Sequence, residues 1–299
     1  MTETLESLSN AIADTVETAA NAVVRVEGRR RLPASGIIWD QDGLIITASH
    51  VLQRDEGIHV GLPDGERIAV ELVGRDPTTD LAVLRSSQTL GHPPEWRDLS
   101  DVKVGHLVLA LGRPGKTVQA TMGVVSALGA PWRTPAGAEL SRYLQTDVVM
   151  YPGFSGGPLV SANGGFVGLN TSALLRGVSM TVPADNLKSI ADDLVKYGEV
   201  RRGYLGVSLQ IVRLPDSVQS EVGQKTGLLV VGIEEGSPAS KGDLHQGDVL
   251  VRASDVSLQQ MDDLFMQLGG EQIGSKLPLS VIRAGELLEV DLEVGSRKQ

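Results

Sequence analysis

The 299-residue chain contains no cysteine, so disulfides, thiolate zinc sites, iron–sulfur clusters and cysteine nucleophiles are all excluded. Aromatic residues make up only 3%, and no apolar run reaches the length of a membrane span or a signal-peptide core. Positive charge is also short. The 27 Lys and Arg stand against 37 Asp and Glu, and the net charge of −10 argues against nucleic acid and anionic membranes as partners. What the chain has in quantity is glycine, 35 residues, with 14 prolines and short Val, Ile and Leu runs between them. That composition belongs to many short strands and turns, and the length allows two or three domains. The acidic start, Met1 to Glu6, sets two expectations for location. The protein is cytoplasmic if Met1 is the natural start, and periplasmic or extracellular if a signal or anchor was removed.

Leu5, Leu8, Ile12 and Val16 recur at helical steps, which predicts an N-terminal amphipathic helix within residues 1–21. From Ala22 the pattern changes to short β runs: Val23–Val26, Gly36–Trp39, Leu44–Thr47, His59–Leu62, Ile68–Val73, Leu81–Leu84, Leu107–Leu111, Val118–Ala127 and Phe166–Thr171. Turn signals such as Asp42-Gly43 and Pro63-Asp64-Gly65 separate them, as in an antiparallel barrel or sandwich. A second helix is expected from a cap at Asp185 through Leu187, Ile190 and Leu194 to a stop at Gly198. These elements divide the chain into a domain over 22–198, a linker at 199–203, and a small α+β domain over 204–299 with a helix at about Leu258–Leu268.

The most informative segment is Gly153-Phe154-Ser155-Gly156-Gly157-Pro158. A serine becomes a useful nucleophile when it sits on a tight turn, has a base within reach and faces backbone N–H donors. Glycines on both sides of Ser155 permit that turn. Upstream, His50 closes the apolar run Leu44–Thr47, and Asp80 stands at the mouth of another, within Asp76-Pro77-Thr78-Thr79-Asp80-Leu81. The order His50, Asp80, Ser155 is one of three in which a Ser-His-Asp constellation recurs. The segment also fits the G-x-S-x-G elbow of α/β-hydrolases. That elbow feeds a helix and needs its acid and histidine downstream, whereas Gly156-Gly157-Pro158 cannot start a helix and the only later histidine is His245.

Together, Thr47–Leu52, Asp76–Leu84, Gly123–Gly129, Leu144–Val160 and Gly198–Val207 resemble the HtrA family of trypsin-like serine proteases with C-terminal PDZ domains. The resemblance implies a mainly β architecture: a chymotrypsin-like double six-stranded β-barrel followed by a small α+β PDZ domain. It implies that Ser155 is the nucleophile, His50 the general base and Asp80 the group that orients the imidazole. Gly153 and Ser155 N–H groups would form the oxyanion hole, and Thr171 matches the hydroxyl that supports the aspartate, although it is equally an ordinary strand threonine. No cofactor and no metal are implied. Val149 would floor the substrate pocket with Met150 beside it, and Met180 would either narrow that pocket or belong to the core. With no acidic residue there, cleavage after small or medium aliphatic residues is expected.

In the C-terminal domain, Tyr204, Leu205, Gly206 and Val207 match the loop that receives a peptide's terminal carboxylate, with the peptide adding as a strand. Substrates would be unfolded polypeptides, cleaved without ATP. The family's trimers pack aromatics near the N-terminal end. The helix here has none, so a homotrimer or higher oligomer is an expectation from the resemblance alone. Phe154 stands where the superfamily has Asn or Asp, which leaves a second reading open: a latent homologue acting as a peptide-binding or chaperone module. Arg29-Arg30-Arg31 reads as a solvated loop, and His59, His92 and His106 as surface or structural residues.

Overall fold

The computed structural model describes residues 2–91 and 93–296, with only the backbone of Thr2, Glu3 and Glu271; His92 lies outside the described residues. The chain divides into two compact units, residues 1–200 and 201–299. No helix of the described residues is long and apolar enough to cross a membrane.

The first unit opens with helix α1 (Thr2–Ala20). Ile12 and Val16 pack against the core below and Ala19 is buried, whereas Leu5 and Leu8 on the first turns are exposed. The apolar stripe read in the sequence is therefore covered only over its second half. Strands β1 (Val23–Glu27), β2 (Ala34–Ile38), β3 (Leu44–Ala48), β4 (Ile58–Gly61), β5 (Arg67–Asp76) and β6 (Leu81–Ser86) form the first antiparallel barrel. It closes where β4 pairs back on β1, Val60 opposite Val26. Its Val, Ile and Leu side chains fill the interior, so closure removes the edges that so many short strands would otherwise expose.

Strands β7 (Leu107–Gly112), β8 (Gln119–Leu128), a small hairpin of β9 (Trp132–Arg133) and β10 (Glu139–Leu140), and then β11 (Leu144–Thr146), β12 (Pro158–Ser161), β13 (Phe166–Thr171) and β14 (Ser179–Pro183) follow. All but the hairpin close a second six-stranded barrel. Helix α2 (Ala184–Tyr197) buries Leu187, Ile190, Ala191 and Leu194. Its N-cap is Pro183, two residues earlier than the sequence suggested, and Asp185 lies inside the first turn, where a negative charge suits the helix dipole. At the other end Gly198 adopts φ +76° and donates its N–H to Leu194 O, the left-handed stop expected there.

Arg113 ties this unit together. Its Nε donates to Val23 O at 2.7 Å, Nη1 to Lys116 O at 3.0 Å and Nη2 to Ala20 O at 2.9 Å. One guanidinium thus joins the end of α1, the start of β1 and the loop after β7. Burial lowers its pKa from the ordinary arginine value.

The second unit begins at Arg201, inside the stretch read as a linker, because Gly203 already pairs with Ser296: β15 (Gly203–Tyr204) lies against the last strand, Gly295–Ser296. Next come β16 (Val207–Arg213), helix α3 (Asp216–Val222), β17 (Thr226–Ile233), α4 (Pro238–Lys241), β18 (Val249–Ala253), β19 (Val256–Ser257), α5 (Met261–Met266), β20 (Lys276–Arg283) and β21 (Glu286–Glu293). The sheet runs β16-β17-β18-β20-β21, so β16 is an edge strand. The last helix is shorter than the sequence suggested. Gln260 caps it reciprocally with Asp263, and Leu258 before the cap is buried in the core of this unit. Helix α3, between Pro215 and the left-handed Gly223, was not foreseen.

Candidate active site

Barrel closure brings His50, Asp80 and Ser155 to one cleft. His50 lies in a single 3-10 turn, Ser49–Val51, directly after β3, and Asp80 ends the turn before β6. The two strands pair with Ala48 opposite Leu81, which fixes the distance between the groups that follow and precede them. Asp80 has φ +59°, unusual for a residue other than glycine, and its backbone is held by Ser49 N, which donates to Asp80 O at 3.0 Å. The strained turn is braced by buried Asp76. Its carboxylate accepts Thr78 N–H at 3.1 Å, Thr78 Oγ1 at 2.6 Å and Thr79 Oγ1 at 2.8 Å.

Asp80 is 3% exposed, and every oxygen of its carboxylate is used. Oδ1 accepts His50 N–H at 2.8 Å; Oδ2 accepts His50 Nδ1 at 2.7 Å and the Thr171 hydroxyl. An ionised carboxylate can only accept, so Nδ1 carries a proton, and in the neutral ring the lone pair is then on Nε2. Thr171 Oγ1 in turn accepts Ala173 N–H at 3.0 Å, so its proton is directed at Asp80. The sequence treated Thr171 as equally an ordinary strand residue; its buried hydroxyl bonds to Asp80.

Ser155 sits on the turn between Gly153 and Gly156, with φ +96° and +87° respectively. At Gly156 a Cβ would fall 2.1 Å from Ser35 O, so no other residue fits. Ser35 organises this turn. Its Oγ donates to Gly153 O at 2.6 Å and accepts Arg113 N–H at 2.8 Å, and its N–H donates to Ser155 O at 3.2 Å. Phe154 is wholly buried against Gly112 and meets Tyr151 edge-on at 5.9 Å between ring centroids. It anchors the turn from beneath. Among the described residues, neither Gly153 N–H nor Ser155 N–H donates a hydrogen bond. Neither is therefore committed to a partner within the described chain.

The Ser155 hydroxyl makes one contact that the sequence did not suggest: Ser172 Oγ lies 3.2 Å away. No hydrogen bond joins Ser155 to His50, although both line a cleft of about 650 Å³. Met150, Tyr151 and Pro152 line it, and so do Arg29, Arg30 and Arg31. The arginines read as a solvated loop therefore border the cleft. Two of the expected pocket residues do not. Val149 is 53% exposed and absent from the lining, because along Val148-Val149-Met150 the first side chain turns into the barrel core and the third into the cleft. Met180 is 1% exposed and belongs to the barrel core, since β14 pairs it with Gln145 and Thr171 from inside.

In the second unit, Leu205 is buried in the core and Gly206 has φ +78°, with space for a Cβ blocked by Ser237 Cβ at 2.1 Å. Leu205 O accepts Ala239 N–H and Gly206 O accepts Glu234 N–H, each at 2.8 Å, while the Tyr204 hydroxyl bonds the Glu234 carboxylate. With the carbonyls turned inward, the N–H groups of Leu205 and Gly206 make no hydrogen bond among the described residues. They end beside the open edge of β16. The imidazoles of His59 and His106 contact Gly57 O and Lys103 N–H, both close in the chain. Among the described residues, no group of three or more His, Asp or Glu is placed to hold a metal ion.

Two closed six-stranded barrels, with a serine and a histidine lining one cleft and a buried aspartate behind the histidine, have the architecture of the trypsin-like fold, here followed by a PDZ-type sheet. Family models agree: "Trypsin-like peptidase domain" matches residues 34–169 and "PDZ domain" residues 203–294. The chain is 35% identical over 268 residues to a "Probable periplasmic serine endoprotease DegP-like" of Pseudomonas putida (strain F1), covering 88% of this chain and 56% of that protein. Its counterpart in Chlamydia trachomatis serovar D is 30% identical over 276 residues, covering 90% and 55%. The solved "HtrA-type protease AlgW with tripeptide" superposes with a TM-score of 0.80 at 30% identity, over 96% of this chain and 98% of that one. The serine endoprotease from Yersinia pestis gives 0.79 at 27% identity, over 96% and 98%. The chain belongs to the HtrA family of trypsin-like serine proteases. It spans just over half the length of the curated relatives it matches.

Proposed function

We propose that the protein is a serine endopeptidase that hydrolyses exposed segments of unfolded or misfolded polypeptides, with His50, Asp80 and Ser155 as its triad. The observation that carries this is the Asp80 carboxylate, which grips His50 Nδ1 beside a serine on a glycine turn with two free N–H groups. Ser155 Oγ attacks the substrate carbonyl carbon while its proton passes to His50 Nε2. The developing oxyanion is received by Gly153 and Ser155 N–H. As the tetrahedral intermediate collapses, the C–N bond breaks and His50 returns the proton to the leaving amine. Water repeats both steps on the acyl-enzyme and regenerates Ser155. Asp80 stays ionised throughout, holding the imidazole and stabilising its charged form, with Thr171 fixing the carboxylate. This acyl transfer uses no nucleotide.

The wall at Met150 offers no carboxylate, which supports small or medium aliphatic residues before the cut bond. In the C-terminal unit, the free N–H groups at Leu205 and Gly206 and the open edge of β16 support capture of a peptide C-terminus, for recruitment or regulation. A periplasmic location is proposed from the printed names of the relatives. A homotrimer or higher oligomer is proposed by family likeness. A fluorophosphonate probe should modify Ser155, and casein should be degraded by the wild type and not by Ser155→Ala. An unmodified Ser155 with intact casein would reject the reading.

One observation favours a second reading: Ser155 Oγ bonds Ser172 rather than His50. As a latent module the protein would bind peptides ending in a free carboxylate over their amides, with no turnover.

A further inference from the structure

We propose that Arg29, Arg30 and Arg31 form a cationic wall that selects substrates with aspartate or glutamate within the first three residues after the cleaved bond. The inference rests on the protease reading above. The loop between β1 and β2 is fastened to the segment after His50, since Gln53 N donates to Gly28 O at 3.0 Å and Arg54 Nη2 to Glu27 O at 2.8 Å. The arginines therefore stand on the His50 side of Ser155. That side takes the leaving half of the substrate, because His50 must reach the departing amine; the acyl half lies against Met150 and Tyr151.

Charge in the cleft is one-sided. Three arginines line it and no Asp or Glu does, in a chain whose net charge is −10. Of the nearby acids, Glu27 pairs with Arg25 and Arg67 and Asp55 with Arg75, and Glu56 is exposed and outside the cleft lining. Among the described residues no carboxylate pairs with Arg29, Arg30 or Arg31. Arg29 is fixed in place, its Nε donating to Leu32 O at 2.5 Å, while Arg30 and Arg31 are exposed and free to turn toward a ligand. Three guanidinium groups without a carboxylate partner on one wall of a concave site concentrate the field there, and the exposed Arg30 and Arg31 can fork onto a carboxylate. An extended substrate strand advances about 3.3 Å per residue, so the first two or three residues after the cut pass within arginine reach.

The test uses two internally quenched peptides with a common acyl half ending in Val, followed by Ala-Glu-Glu or by the isosteric Ala-Gln-Gln. The ratio of kcat/KM for the two is measured at low and high NaCl, with the cut position read by mass spectrometry. The wild type should prefer Ala-Glu-Glu by about tenfold at low salt, and the preference should shrink in high salt. In Arg30→Gln/Arg31→Gln the ratio should fall close to one. A wild-type ratio near one, or an unchanged ratio in the double variant, overturns the arginine assignment and leaves the protease reading standing. If neither peptide is cut and fluorophosphonate leaves Ser155 unmodified, the protease reading falls and this inference with it.

Discussion

Ser172 Oγ lies 3.2 Å from Ser155 Oγ, and among the described residues this is the only hydrogen bond of the candidate nucleophile's hydroxyl. The two side chains are brought together because β13 runs back beside the nucleophile turn, with Asn170 and Gly157 exchanging backbone contact: Asn170 N donates to Gly157 O at 2.8 Å. In the proposed mechanism the Ser155 hydroxyl leaves this partner to meet His50. A hydroxyl pair contributes about 1 kcal/mol, which corresponds to a factor of about five. Ser172→Ala should therefore raise the rate of fluorophosphonate labelling at Ser155 up to about fivefold. A fall in that rate would show that Ser172 holds the nucleophile ready rather than back.

Thr171 donates its hydroxyl hydrogen bond to Asp80. Thr171→Val keeps the strand and the shape while removing that donor, so kcat should fall by about tenfold with KM little changed. Thr171→Ser should restore most of the loss, which a purely structural role would not predict. Asp80→Asn is expected to cost about 10³–10⁴ in kcat, because the imidazole loses the acceptor that fixes its tautomer.

Arg113 satisfies carbonyls of Ala20, Val23 and Lys116 from a buried position. Arg113→Met leaves all three without that donor, and the expected loss of stability is about 2–4 kcal/mol in urea unfolding of the first unit. Its N–H to Ser35 is a backbone group and survives the substitution. An undiminished midpoint would mean that water replaces the guanidinium at no cost.

In the second unit Asp248 is buried with Arg283 in a two-pronged pair, Nε to Oδ1 and Nη2 to Oδ2, each 2.9 Å. Burial pushes its carboxyl up, but hydrogen bonds from Arg283 and the His245 N–H, with the guanidinium charge, outweigh it and hold it below the ordinary carboxylate value. A depressed folded-state pKa means the unfolded chain takes up the proton first. The stabilisation is therefore complete above about pH 4 and lost as pH falls further, toward the lowered value. Urea midpoints of the second unit measured from neutral pH down to about pH 2.5 should drop across that window. Asp248→Asn should be less stable at neutral pH and show a flatter acid limb. Equal slopes in the two proteins would remove Asp248 as the source.

Much of the architecture could be read from local pattern. The alternation of apolar runs with Gly and Asp turns marked the barrel strands, and Tyr197-Gly198 marked the end of α2, because glycine alone takes the left-handed stop without strain. Helix ends governed by contacts were less legible. The last helix was overextended because Leu258 follows its period, yet that side chain is pulled into the core before the cap at Gln260.

The sequence by itself determined which residue types are available for chemistry and in what order: no thiol, one glycine turn around Ser155, and His50 and Asp80 ahead of it, each at a strand terminus. Only the tertiary structure decided what each of them meets. Strand pairing buries Met180 and faces Val149 to solvent, and return of β13 sets Ser172 against Ser155. The fastening of the β1–β2 loop to the His50 turn carries three arginines to the cleft. These partners lie far apart along the chain and have no shared period or motif. Their meeting is set by how two barrels close, and local pattern carries no record of that.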